Sequence, residues 1–313
     1  MTGHKILVTG ASGQVGYHVA KHLAQHNEVW GLARFTKLKA RAEVEAVGVK
    51  PVVCDYTTGD FSNLPSDFDY VIHVGACTSP KTAEEGMRQN VAGTRLLLQY
   101  CRGAKAFLHV STVGVYQRHP DPFHLYEESD PLAGQTDYQP FYGVSKLAAE
   151  AVVQELSWQY QLPTTIARLN CTYSARGNHQ LPGPHLDWLV HDLPVPLPQS
   201  RELVHSPIAV EDVALQSEAM LAAAQVGSTI VNWGGDDFVT ARQWVEYWAQ
   251  LLGKPARFRF SDDVLFPCGA VNNHKRWQLV GRCSLDWKQG MRRMLEQRYP
   301  QLPIRDAVAP AAR

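Results

Sequence analysis

A doubly wound α/β fold, a Rossmann-type parallel sheet with helices on both faces and a smaller C-terminal lobe, is predicted by three features of this sequence. Short apolar runs at 4–10, 28–34, 49–55, 70–76, 106–112 and 164–170 alternate with helical patterns near 14–26, 36–47, 84–103 and 143–160. Such alternation buries a parallel sheet between two layers of helices. The first run leads into the glycine-rich turn Thr9-Gly-Ala-Ser-Gly-Gln-Val-Gly16. After about 171 the texture changes: 174–207 is rich in Pro, Gly and His, 208–224 reads as a strand running into an acid-capped helix, and a strand at 228–233 and a helix at 240–252 follow. Residues 1–173 are therefore assigned to a dinucleotide-binding sheet domain completed by about 204–250, and residues 174–203 and 251–313 to a substrate-binding lobe.

In the opening turn three glycines have separate tasks. Gly10 permits the sharp exit from the strand, Gly13 lets the backbone approach a pyrophosphate, and Gly16 lets the helix pack close to the sheet. Amides at the helix start, around Ser12, Gln14 and Val15, hold the negative charge. The spacing is Gly-x-x-Gly-x-x-Gly rather than Gly-x-Gly-x-x-Gly and also suits a plain glycine-rich turn. The strand before it, and Val15, Val19 and Leu23 at helical spacing after it, favour the dinucleotide.

The second strand ends Gly31-Leu-Ala-Arg34, without the acid that would accept from the ribose of NAD. Arg34 suits a 2′-phosphate and tilts the choice to NADP, with NAD as the alternative; a solvated arginine stacking on adenine is the competing reading. Asp55, with Tyr56 beside it, ends the third strand and is placed for the adenine amino group, unless it simply caps its loop. Gly75 and Ala76, after the fourth strand, are small enough for a cofactor to lie on the backbone. His73 reads as a core histidine.

Tyr142-Gly-Val-Ser-Lys146 sets a phenol and an ammonium one helical turn apart. A tyrosine acid/base must be drawn down about three units from ~10, which a nearby lysine and a positive nicotinamide ring can supply. Upstream, the strand Phe107-Leu-His-Val-Ser-Thr112 brings a hydroxyl to the carboxyl end of the sheet, where ligands of open α/β folds bind.

Composition narrows the partners. Lys plus Arg and Asp plus Glu both number 30, so net charge is zero, and neither nucleic acid nor a membrane surface is expected as a partner. The first strand begins by about His4, leaving no room for a signal peptide, and no run reaches the ~18 apolar residues that span a bilayer, so a cytoplasmic protein is expected. Cysteines 54, 77, 101, 171, 268 and 283 lie far apart without a Cys-x-x-Cys pair; they read as reduced core residues, with no metal site.

The chain resembles the extended short-chain dehydrogenase/reductase family, also called the NAD-dependent epimerase/dehydratase family. The resemblance rests on the Thr9–Gly16 turn, Asp55, His73 to Ala76, Asn90 to Thr94, Ser111-Thr112 ahead of Val115-Tyr116, the Tyr142/Lys146 pair, Arg168-Leu-Asn170 ahead of Tyr173, and Val210-Glu-Asp-Val213. It implies that Tyr142 is the acid/base, that Lys146 lowers its pKa and holds the nicotinamide ribose, and that Thr112 binds the reacting oxygen. It also implies that Asn90 fixes the fourth helix, and that a homodimer forms through helices 84–103 and 143–160, for which Leu97, Val153 and Leu156 read as exposed apolar positions.

Departures fall in the substrate half. Val113-Gly114 replaces the Asp-Glu pair of the family's dehydratases. His205-Ser-Pro207 stands where sugar-nucleotide enzymes usually carry Arg-Asp-Phe, and Tyr173-Ser-Ala175 replaces Tyr-Gly-Pro. Asn170, Arg176 and Arg201 remain candidates to meet a phosphate, Trp188 and His205 are candidate pocket residues, and the loop 117–140 is a candidate lid. The expected function is an NADP(H)-dependent oxidoreductase acting on a small organic substrate. The alternative is a nucleotide-sugar epimerase using bound NAD, and a non-catalytic nucleotide sensor is the third reading.

Overall fold

The computed structural model describes residues 1–134, 139–177, 181–262 and 269–306; Cys268 and residues 135–138 of the expected lid lie outside them. β1 (Lys5–Thr9) leads through α1 (Gln14–Leu23), β2 (Glu28–Ala33), α2 (Leu38–Glu45) and β3 (Lys50–Val53) to β4 (Tyr70–His73). The helix expected at 84–103 is α3 (Ala83–Gly86), a π-helical stretch at Met87–Ala92 and α4 (Gly93–Tyr100) in succession. Next come β5 (Ala106–Thr112), β6 (Leu125–Tyr126), α5 (Tyr142–Tyr160), β7 (Thr164–Leu169) and β8 (Thr172–Tyr173). The second half runs through α6 (Gly183–Val190), β9 (Val195–Leu197), β10 (Val204–His205), β11 (Ile208–Ala209), α7 (Val210–Ala222) and β12 (Thr229–Trp233). It continues with β13 (Val239–Thr240), α8 (Ala241–Leu252), β14 (Phe258–Phe260), β15 (Ala270–Val271), α9 (His274–Val280) and α10 (Trp287–Arg298).

Seven strands form one parallel sheet in the order β12-β7-β5-β4-β1-β2-β3. The chain leaves β1 in both directions, so β1 and β4 flank the switch point at which ligands of such sheets bind. β5 shows how the two faces are divided. Ala106, Leu108 and Val110 join the core under α1 and α7, whereas Phe107 joins the core under α4 and α5. A separate core gathers Leu186, Leu189, Trp244, Trp248, Met291 and Leu295 from α6, α8 and α10. The second acid of the Val210–Val213 motif ties the two parts together: Asp212 accepts from Ser284 N at 2.7 Å and Ser284 Oγ at 2.6 Å.

Two expectations are corrected. Leu97, Val153 and Leu156 are buried inside the protomer, because α4 and α5 turn their apolar faces to the sheet and to each other, so they offer no dimer face. Residues 117–134 are not a free lid either. Tyr126 pairs with Val271 through the β6·β15 ladder, Tyr116 bridges Leu132, and Glu128 Oε1 accepts from Asn232 N at 2.8 Å.

Beneath this loop lies a buried ion pair. Arg168 on β7 reaches Glu150 on α5 at 2.9 Å with both side chains 2% exposed; Ser111 Oγ donates to Glu150 at 2.5 Å, and Arg168 Nη1 donates to Tyr116 Oη at 3.1 Å. Removing one member leaves an uncompensated buried charge. Glu150→Ala is therefore expected to cost about 3–5 kcal/mol of stability, read as a lower denaturant midpoint, and adding Arg168→Met should recover part of that loss.

Candidate active site

The glycine turn has little room for side chains. Gly10 has a φ of 68°, and a Cβ there would lie 3.0 Å from the Gly75 backbone; a Cβ on Gly16 would run into the Gly10 carbonyl. This close approach keeps the start of α1 against β1 and leaves its first amides facing the switch point, a fit for a pyrophosphate. Gln14 donates to Thr172 O at 3.2 Å, and Val15 packs partly buried against the core. Arg176, a candidate for a phosphate, instead spans the turn. It pairs with Glu43 at 2.7 Å, donates to Ser12 O at 3.4 Å and lies 4.1 Å over the Tyr17 ring.

Arg34 is exposed at the end of β2, ahead of Phe35, which turns the chain with a φ of 44°. Asp55 does cap its loop, accepting from Thr57 N at 3.0 Å and Thr57 Oγ1 at 2.7 Å; both bonds use Oδ1, so Oδ2 keeps its acceptor capacity. Burial opposes its ionisation, but the Thr57 bonds and the charges of Arg34 and Arg88 leave its pKa below the ordinary value. Tyr56 donates to Gly75 O at 3.0 Å and forms a wall below Gly75 and Ala76 rather than a free hydroxyl. His73 is satisfied on both nitrogens, by Thr9 Oγ1 at 2.8 Å and Thr94 Oγ1 at 2.9 Å, and the Thr9 oxygen accepts from Gly75 N.

Thr112, Tyr142 and Lys146 are brought together where β5 meets α5. Thr112 Oγ1 accepts from Gly114 N at 3.1 Å. Enclosure pushes the Tyr142 phenol up to about 12, and its bond to Thr112 opposes this in part. The buried ammonium takes the acceptors within reach, Val110 O at 2.9 Å and His109 Nε2 at 3.1 Å, and burial, opposed by Glu150, brings Lys146 down to about 8. Asn90, in the π-helical stretch, accepts from Cys77 N at 2.8 Å and donates to Ser145 Oγ at 2.9 Å; Ser145 in turn donates to Tyr142 O. Sequence reasoning missed His109 and Glu150. The signals were present: His109 and Ser111 share one face of β5, and Glu150 continues the i, i+4 stripe of Tyr142 and Lys146.

The substrate candidates are less convergent. Asn170 is used internally, donating to Gly269 O at 2.9 Å and accepting from Cys171 N at 2.8 Å. Trp188 packs half-buried on the second core, its ring 5.8 Å from His185. His205 is buried 5.6 Å from the Trp244 ring, its Nε2 without a partner; burial pushes its pKa down to about 4 and leaves it uncharged at neutrality. Arg201 lines a cavity of about 240 Å³ with Leu197, Gln199, Arg242 and Phe260, and none of Thr112, Tyr142 and Lys146 borders it. No cluster of three or more potential metal ligands occurs among the described residues, and no described helix is long and apolar enough to cross a membrane.

Compared with known proteins, residues 6–234 match the model of the NAD dependent epimerase/dehydratase family. A UDP-N-acetyl-alpha-D-glucosaminuronate decarboxylase of Bacillus cytotoxicus is 25% identical over 93% of this chain and 97% of that protein. A trifunctional UDP-glucose 4,6-dehydratase/UDP-4-keto-6-deoxy-D-glucose 3,5-epimerase/UDP-4-keto-L-rhamnose-reductase of Arabidopsis thaliana is 26% identical over 71% of this chain, which spans only 36% of that protein's length. Among solved structures, the UDP-glucuronic acid 4-epimerase of Bacillus cereus, in complex with UDP-glucuronic acid and NAD, superposes with a TM-score of 0.81 at 20% identity, covering 95% of this chain and 99% of the other.

Proposed function

This chain belongs to the NAD dependent epimerase/dehydratase family and is an enzyme, and we propose that it transfers hydride between a nicotinamide dinucleotide and the carbonyl or carbinol carbon of a small organic substrate. The observation that carries this reading is the convergence of Thr112, Tyr142 and Lys146 beside the switch point of the sheet. When bound, the dinucleotide supplies the hydride donor or acceptor and, oxidised, a positive ring. The chain's residues do the rest. Tyr142 moves the proton at the substrate oxygen, and Thr112 hydrogen-bonds that oxygen. Lys146 has three N–H donors, of which two are committed to β5; the third is assigned to the nicotinamide ribose. Enclosure holds the phenol up at about 12, and the positive ring of an oxidised dinucleotide would favour its ionisation.

A nucleotide-sugar epimerase using bound NAD is the second reading, favoured by the activities named for the relatives and for the superposed structure. Its hydride step would use the same trio. Val113-Gly114 in place of the dehydratases' Asp-Glu speaks against water elimination, and the uncharged His205 speaks against a diphosphate clamp at that position. Incubation with UDP-glucose or UDP-glucuronic acid without added dinucleotide separates the readings. Epimer formed with no net change in nicotinamide absorbance identifies the epimerase, and oxidation of NADPH by members of a carbonyl panel identifies the reductase. The homodimer implied by the family resemblance belongs to this proposal; with Leu97, Val153 and Leu156 buried, its contact would have to use outward positions such as the exposed Trp158.

Two substitutions test the assignments. Arg34→Ala is expected to weaken NADP binding by about 1.5–3 kcal/mol and barely change NAD, as for loss of a charged hydrogen bond; a native preference for NAD overturns the NADP assignment. Tyr142→Phe is expected to bind dinucleotide normally while turnover falls by roughly 10²–10⁴, the range of general acid–base catalysis. Near-normal turnover in that variant would leave only the cofactor-binding assignment standing.

A further inference from the structure

One of the two acceptors that hold Lys146 is an imidazole. Lys146 Nζ donates to Val110 O at 2.9 Å and lies 3.1 Å from Nε2 of His109, and both side chains are buried. An ammonium has donors only, so Nε2 accepts and the ring proton sits on Nδ1. That Nδ1 is buried and has no hydrogen-bond partner. The neighbouring imidazole of His73, with ring centroids 5.5 Å apart, is by contrast bonded at both nitrogens. An orphaned buried donor is unfavourable, and here it accompanies the presentation of Nε2 to Lys146.

We propose that His109 is a positioning residue for the reaction: its neutral imidazole holds the Lys146 ammonium against β5 without cancelling its charge, leaving one N–H for the nicotinamide ribose. This rests on the assignment of Tyr142 and Lys146 made above. A carboxylate in the same place would hold the ammonium but neutralise it. Glu150, the carboxylate on the same helix, is instead committed to Arg168 and Ser111. The other groups facing this point are His73 from β4, Arg168 from β7 and Tyr142 from α5. Burial, Lys146 and His73 push the His109 pKa well below its ordinary value, so the ring stays neutral through the range in which Lys146, brought down to about 8, titrates. His109 therefore positions the ammonium and does not take its proton.

The test titrates NADH and NADPH, followed by tryptophan fluorescence, into the wild-type protein, His109→Leu, His109→Gln and Lys146→Met from about pH 6 to about pH 10. In the wild type, affinity is expected to fall as pH rises through about 8, where the ammonium is lost. His109→Leu removes an acceptor from the charged form, so this limb moves to lower pH by about one unit; affinity then drops about twofold at neutrality and about tenfold above about pH 9, the size of one hydrogen bond to a charged group. His109→Gln places a carboxamide oxygen near the Nε2 position and restores most of both effects. An unmoved limb in folded His109→Leu, with binding lost in Lys146→Met, overturns the positioning role and leaves the catalytic assignment intact. Unchanged binding in Lys146→Met removes both. If His109→Leu does not fold, nitrogen-15 imidazole spectra of the wild type decide: protonation at Nδ1 alone, with an Nε2 resonance that moves in Lys146→Met, supports the proposal, and an Nε2-protonated ring overturns it.

Discussion

The placement of α5 depends on charges that cannot be left alone in the interior. α5 carries Tyr142, Lys146 and Glu150 at successive four-residue steps, and the two charged members are buried. A buried ammonium or carboxylate costs several kcal/mol unless it is paired and hydrogen-bonded. Glu150 is matched by Arg168 and Ser111, and Lys146 by Val110 O and His109. The depth and rotation of the helix on β5 and β7 meet both demands at once. Two anchors, one and two turns below Tyr142, thus leave its phenol little freedom and hold it beside Thr112.

A second polar thread joins the dinucleotide side to this helix. From Gly75 N it runs to Thr9 Oγ1, through both nitrogens of His73 to Thr94 Oγ1, and on to Asn90 O. Donor and acceptor roles are consistent along it. The Thr94 hydroxyl donates to Asn90 O, so it accepts from His73 Nε2, and His73 Nδ1 accepts from Thr9. The Asn90 side chain then binds the loop after β4 at Cys77 and α5 at Ser145. The π-helical register at Met87–Ala92 turns that amide inward, as such insertions do at functional sites. The turn after β4 and the helix that carries Tyr142 are in this way parts of one hydrogen-bonded unit.

Much of this was legible in the sequence where local rules decide. Apolar runs of β-branched residues gave the sheet strands to within a few residues, and the glycine spacing located the switch-point turn, because backbone crowding at Gly10 and Gly16 admits no Cβ. Contacts set by distant parts of the chain were not legible. The two-residue strands β6 and β15 are too short to show a period, yet their pairing fixes part of the segment that reads as a candidate lid. Periodicity on α4 and α5 marked Leu97, Val153 and Leu156 as apolar but could not say which neighbour covers them; the sheet does. Nor can one-turn spacing tell whether a lysine faces the phenol above it or the strand beside it.

The same limit is sharpest around the core of α6, α8 and α10, where side-chain protonation rather than backbone shape sets what a ring can bond. Trp244 Nε1 can only donate, and it donates to His185 Nδ1 at 3.0 Å, so His185 carries its proton on Nε2. Burial brings His185 down to about 3 and His205, on the same tryptophan, to about 4. Both rings are uncharged at neutrality, and each keeps one buried nitrogen unpartnered. A guanidinium at position 205 would bring a permanent charge into the interior; an imidazole there can be buried because it can shed its proton. Polar groups of this kind discriminate by hydrogen-bond matching, rejecting ligands that leave them unpaired, whereas a fixed cation discriminates by charge. By the family resemblance, position 205 is thus where an uncharged imidazole stands in place of the arginine usual in sugar-nucleotide enzymes.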